Sequence, residues 1–151
     1  MPAAQARFSI CALLDADNRL LLLHRAPGQR IAPSQWGFPA GHIEAGESPR
    51  ECAEREMDEE IGTQHELEPI RSLGPLRDTF YGGRFEIHLF HYRWLSGSIT
   101  LNTEHTAYRW VSPAEFTELD AMLGVEQDIV LLDIWPAAMF EPARLGTLPV
   151  V

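Results

Sequence analysis

Between Glu47 and Glu60 the chain places seven carboxylates beside only two arginines, Arg50 and Arg55. If residues 48–61 are helical, Glu56, Glu59 and Glu60 fall within an arc of about 100°. Glu56 and Glu60 are four apart, a like-charge spacing that costs a few tenths of a kcal/mol even in water. Glu59 and Glu60 also sit near the helix's carboxyl end, where the macrodipole disfavours negative charge. Partly buried carboxylates roughly 6 Å apart repel by about 3 kcal/mol per pair at an effective dielectric near 20. Arg55, four residues from both Glu51 and Glu59, offsets only part of this. A solvated acidic face is the ordinary explanation for acids on one helix. Here, however, the acids gather at the unfavourable end and adjoin an apolar stripe, Ala53, Met57 and Ile61, while the glycine-rich residues 39–47 run straight into the helix. A hard divalent cation relieves the repulsion, and magnesium commonly takes a few carboxylates together with phosphate oxygens. Cation-assisted chemistry on a phosphate is therefore expected.

The elements that must hold these groups are also legible. Ser48 suits the N-cap, Pro49 the first helical position, and Glu51 completes a capping box, while Gly62 can end the helix with a positive φ. Residues 8–14 and 19–25 are apolar runs around the turn-like Asp15-Ala16-Asp17-Asn18 and predict a hairpin or two neighbouring strands. Residues 26–37, with Pro27, Gly28, Pro33 and Gly37, predict a loop. Strands are predicted over 85–95 and 108–111, and a short helix over 115–119 behind a second Ser-Pro-x-Glu start. A further helix is expected over 125–134, ended or kinked by Pro136, and beyond it Pro142, Gly146 and Pro149 suggest a loose tail. Strands and helices in this order suggest a mixed sheet with helices packed on it.

At 151 residues and 45% hydrophobic, the chain is long enough for one domain over 1–151 with its own core. A net charge of −10 argues against a broad nucleic-acid face, though a bound metal can reverse the field locally for a small polyphosphate. Cys11 and Cys52 lack metal-ligand spacing and are expected as buried free thiols in a reducing compartment. Residues 1–10 lack the apolar core of a signal peptide and 20–23 are too few to span a membrane, so a cytoplasmic protein is expected.

Residues 41–63, GHIEAGESPRECAEREMDEEIGT, resemble the Nudix box, Gly-x5-Glu-x7-Arg-Glu-U-x-Glu-Glu-x-Gly-U, where U is apolar. Gly41, Glu47, Arg55, Glu56, Met57, Glu59, Glu60 and Gly62 occupy their positions, and only Thr63 departs. Trp36-Gly37-Phe38-Pro39-Ala40 resembles the family's approach to the box, with Ala40 where glycine is usual. Residues 103–111 resemble the later segment that brings in a further carboxylate, Glu104. The fold this implies is an α/β/α sandwich around a mixed β-sheet.

The resemblance further implies that Glu56, Glu59 and Glu60, with the Ala40 carbonyl, hold Mg2+, for which Mn2+ can substitute. Arg55 would orient the carboxylates, and Gly41, Glu47 and Gly62 would support the box. The implied reaction is attack of water on a phosphoanhydride, with either Glu104 or Glu56 as base and Glu104 preferred. On the substrate side, Arg25 is a candidate for touching phosphate, Trp36 and Phe38 for stacking on a base, and Tyr81 for a dinucleoside substrate, with a surface arginine, core aromatics and a turn as their plainer readings. His105 is a neighbour of the site. A small nucleotide or diphosphate is the expected partner, foremost a nucleoside triphosphate losing pyrophosphate. A dinucleoside polyphosphate or an ADP-sugar is the alternative, and a homodimer stays open. The reading of a different class is a catalytically silent Nudix-like binding or regulatory module, against which stands the retention of every box carboxylate.

Overall fold

The computed structural model describes residues 2–151. Strands β1 (Ala6–Leu14) and β2 (Leu20–Arg25) flank a turn organised by Asp15. The Asp15 carboxylate accepts from the backbone N–H groups of Asp17 at 3.0 Å and Arg19 at 2.9 Å. The two strands nevertheless pair only at Leu14 and Leu20. They then splay, so the expected hairpin is two neighbouring strands that diverge. The wedge between them is filled from the chain that follows: β3 (Trp36–Gly37) pairs with β2, and β4 (Ala40–His42) pairs with β1 at Phe8, Ser9 and Ile10. The approach to the acid-rich helix is thereby stitched into the sheet.

Along its other edge β1 runs parallel to β6 (Phe85–Gly97), which pairs antiparallel with β5 (His65–Arg77). Strand β7 (His105–Val111) completes the seven-stranded mixed sheet alongside β2. Sequence reasoning foresaw no strand at β5, because Pro69, Gly74 and Pro75 interrupt it. It is an edge strand, where proline is tolerated, and its register slips beside those interruptions, between Pro69 and Arg71 and between Leu73 and Leu76.

Leu20–Leu23 is buried on both faces. Leu21 and Leu23 join Cys11, Leu13, Phe90 and Tyr92 beneath Ala53, Met57 and Ile61 of α1 (Pro49–Ile61). Leu20 and Leu22 join Ala12, Phe38 and Leu89 beneath Val125, Ile129 and Leu132 around α3 (Val125–Leu131). An unbroken apolar run is what a strand covered on both faces requires, and it makes the α/β/α layering. Burying Met57 and Ile61 contributes about 1.5–3 kcal/mol each and clamps α1 to the sheet at the turns that carry Glu56 and Glu60. Both capping boxes form, Ser48 with Glu51 on α1 and Ser112 with Glu115 on α2 (Pro113–Phe116). Gly62 ends α1 at φ +85°, as expected. Thr63 is exposed, so the apolar residue of the box pattern has nothing to pack against. Cys11 and Cys52 are buried free thiols. Among the described residues no helix is long and apolar enough to cross a membrane.

The expected loose tail is a correction. After a 3-10 turn at Ala137–Met139 the chain forms α4 (Pro142–Leu145), and the expected helix over 125–134 stops at Leu131, ahead of Asp133 at φ +59°. Ionic and amide contacts hold this segment down, and no local periodicity announces them.

Candidate active site

Arg55 is the hub of the acid-rich helix. It clasps Glu47 with two hydrogen bonds, Nε to Oε2 at 2.7 Å and Nη2 to Oε1 at 3.0 Å. It also donates to Glu56 Oε1 at 2.8 Å and to the His42 carbonyl at 3.0 Å, with longer contacts of 3.4 Å to Glu59. Hydrogen bonding to Arg55 holds the Glu47 carboxyl down at about 2. Glu51, which sequence spacing offered to Arg55, is used by the capping box instead. Gly41 faces Glu56 so closely that a Cβ there would overlap its carboxyl group. Gly41 is therefore needed for clearance, letting Glu56 lie flat over β4.

The three acids of the helix end divide. Glu59 points outward, with 51% of its side chain exposed, while Glu56 and Glu60 are buried. Glu60 is 1% exposed and accepts a 3.1 Å hydrogen bond from the Ala40 N–H. Burial, and then the neighbouring charges of Glu56 and Glu104, push its carboxyl well above the usual range. Burial also raises Glu56, against the opposing pull of Arg55. Glu60, Glu104 and His105 each bring one potential ligand atom within 4.8 Å of the others. Glu104 reaches this group because a bulge between His24 and Arg25 shifts the end of β7, and the Glu104 carbonyl accepts from the Ala26 N–H at 2.9 Å. His105 is buried with its Nε2 3.7 Å from Glu60 Oε1, and its Nδ1 has no partner among the described residues. Burial first, then Arg25 and His24, pull its ring down to about 4, so it is neutral at pH 7.

Glu56, Glu59 and Glu104 line a cleft of about 920 Å³ that continues to α3, while Glu60 and His105 are outside its lining. Arg25 lines it, steadied by hydrogen bonds to the Ile31 carbonyl at 2.8 Å and Gln29 Oε1 at 3.3 Å. Phe38 forms part of the wall but is a core residue, 6% exposed. Tyr81 lines the cleft with its hydroxyl 3.5 Å from the Leu123 carbonyl. Trp36 does not reach the cleft lining; its ring lies tilted against His24, centroids 4.8 Å apart, and packs against the α3 core. Sequence reasoning missed Asp128, a 9% exposed acid on α3 that lines the cleft. Burial, then Glu126, raises its carboxyl well above the usual value. Its place in the polar run Glu126-Gln127-Asp128 gave no signal of function, since only the fold shows that this part of the helix meets the cleft.

The layering and the clasped box are those of a Nudix fold, and residues 4–132 match the NUDIX domain family. The chain belongs to that family, and it is a hydrolase acting on phosphoanhydride bonds. It is 27% identical over 134 residues to the nucleoside triphosphatase NudI of Escherichia coli, covering 83% of this chain and 95% of that protein. Among solved structures it resembles a MutT protein from Methanosarcina mazei at TM-score 0.68 and 20% identity, covering 89% and 92% of the two chains. It also resembles the ORF135 protein of E. coli at TM-score 0.56 and 27% identity, covering 85% and 88%.

Proposed function

We infer that residues 1–151 act as one domain that hydrolyses nucleoside triphosphates with magnesium, releasing pyrophosphate, in the cytoplasm. The observation that carries this reading is the joining of two unlike ends in one cleft: the acids Glu56, Glu59 and Glu104 at one end, and at α3 an end lined by Met122, Leu123, Val125 and Leu131 with the buried acid Asp128. The first suits a cation and polyphosphate, the second a base with a hydrogen-bond donor facing Asp128. Likeness to a nucleoside triphosphatase over nearly that protein's whole length supports the same substrate class.

The donor set fits a hard divalent cation. Glu60 is buried beside two other acids, an arrangement that burial disfavours and a cation stabilises. Glu56, Glu59 and Glu60, with the Ala40 carbonyl, would hold it. When bound, it neutralises the phosphate oxygens and stabilises the departing phosphate. Arg55 keeps Glu47 and Glu56 in place. Glu104, less engaged than Glu56, takes the proton of the attacking water, and neutral His105 keeps positive charge away from it. Arg25 meets the phosphates, and Tyr81 borders the base.

A panel of nucleoside triphosphates, dinucleoside polyphosphates and ADP-sugars assayed with magnesium, with both products identified, tests this. Triphosphates converted to monophosphate and pyrophosphate are expected as the best substrates, and Glu59→Gln should lower their turnover about 100-fold or more. Wild-type-like activity in that variant, or a clear preference for another class, overturns the assignment.

A further inference from the structure

Residues 133–151 lie beyond the family match at 4–132, yet they are tied to the α3 end of the cleft. Arg144 on α4 clasps Glu126 with Nε to Oε2 at 2.6 Å and Nη2 to Oε1 at 3.1 Å. The same Nη2 donates to the carbonyls of Ala121 at 2.8 Å and Met122 at 3.2 Å. Glu126 is only 5% exposed, so this forked pair is its sole compensation for lost water among the described residues. The next residue, Gln127, reaches the other way. Its amide nitrogen donates to Thr79 Oγ1 at 2.8 Å and to the carbonyls of Leu145 at 2.6 Å and Thr147 at 3.2 Å.

These contacts have a consequence for the cleft. Gly146, at φ +54°, lies on Phe80, where a Cβ would stand 3.0 Å from Cζ. Pro149 then joins Phe80, Met122 and Leu123 in the cleft lining. The segment that Arg144 pins, and the loop whose carbonyls it holds, are thus adjoining parts of one wall.

We propose that residues 141–149 are a strap that closes the α3 end of the nucleotide cleft, so that one nucleoside fits there and a longer substrate does not. Arg144 is its positioning residue, acting through Glu126 and the Ala121–Met122 carbonyls rather than by touching substrate. The proposal rests on the nucleotide-hydrolase reading of the site. Without the guanidinium, Glu126 is left buried and unpaired, the loop loses its anchor, and the wall formed with Pro149 opens.

The test is kcat and KM of the full chain for a nucleoside triphosphate and a dinucleoside tetraphosphate, in wild type, Arg144→Ala and Arg144→Lys. In Arg144→Ala the triphosphate KM should rise about tenfold with kcat changed less than about twofold, and the dinucleotide-to-triphosphate ratio of kcat/KM should rise about tenfold. Millimolar guanidinium, too dilute to denature, should restore the wild-type ratio, because Arg144 is partly exposed. Arg144→Lys keeps the charge without the fork and should fall between; it is read the same way should Arg144→Ala fail to fold. An unchanged ratio in the folded variants, or equal loss of kcat on both substrates, overturns the strap while leaving the hydrolase reading intact. A wild type that turns over neither substrate overturns both.

Discussion

Glu60→Gln separates what the buried acids do for the fold from what they do for the reaction. The side chain is fully buried, and its nearest ligand atom lies within 4.8 Å of that of Glu104. Two unit charges at that distance and an effective dielectric of 20 would repel by about 3 kcal/mol, a cost that the folded chain limits by keeping a proton on Glu60, and water reaching half-buried Glu104 reduces it to about 1–2 kcal/mol. Glutamine keeps an oxygen for the Ala40 N–H and removes the charge. The metal-free variant should therefore be more stable than wild type at pH 8 by about 1–2 kcal/mol, or roughly 3–6 °C in Tm. The pH dependence has a definite sign. The folded protein holds a proton on Glu60 that the unfolded chain loses above 4.5, so wild-type stability falls as pH rises from 4.5 toward the raised folded value. In Glu60→Gln that slope should flatten. Magnesium at 100 times its Kd should stabilise wild type by about 2.7 kcal/mol and leave the variant nearly unmoved. The assay is chemical denaturation in EDTA and in magnesium from pH 5 to 9, with turnover measured alongside. Lower stability of the variant in EDTA at pH 8, or undiminished magnesium stabilisation, refutes the reasoning.

Three further outcomes are expected. Gly41→Ala should force Glu56 off β4, costing about 1–3 kcal/mol of stability and about 100-fold in turnover; a wild-type rate would show that Glu56 need not lie there. Glu104→Gln should lower kcat by about 100-fold or more with KM within about threefold, and an unchanged kcat, read by initial rates, returns the base role to Glu56. Trp36→Leu should cost about 1–3 kcal/mol in denaturant unfolding and leave KM alone, since the ring packs at a tilt against His24 outside the cleft. A tenfold rise in KM would reinstate stacking on the base.

The chemistry was legible because it is written in one helix. Spacing alone puts Glu56, Glu59 and Glu60 on neighbouring positions, and the Ser48 and Gly62 caps bound the element that carries them. The box also carries its own support, since Arg55 and Glu47 are near in sequence and meet in space. The apolar run over 19–25 was legible as a strand, but its burial on both faces, which the sandwich requires, shows only in the structure. Other features depend on contacts between residues far apart. Strand β5 exists because β6 lends it an edge despite its prolines. Trp36 looked like a base-stacking residue from its place before the box, but the pairing of β3 with β2 turns it to His24. Asp128 and the strap at Arg144 and Pro149 had no local signal of function, because an acid or a proline lines a cleft only where the sheet brings the wall to it. What the sequence by itself determined was the class of reaction, since a cluster of carboxylates can be set by helical period over a few turns. What only the tertiary structure decided was the wall at the α3 end of the cleft, since a wall made from residues 79–81, 122–131 and 149 has no period to read.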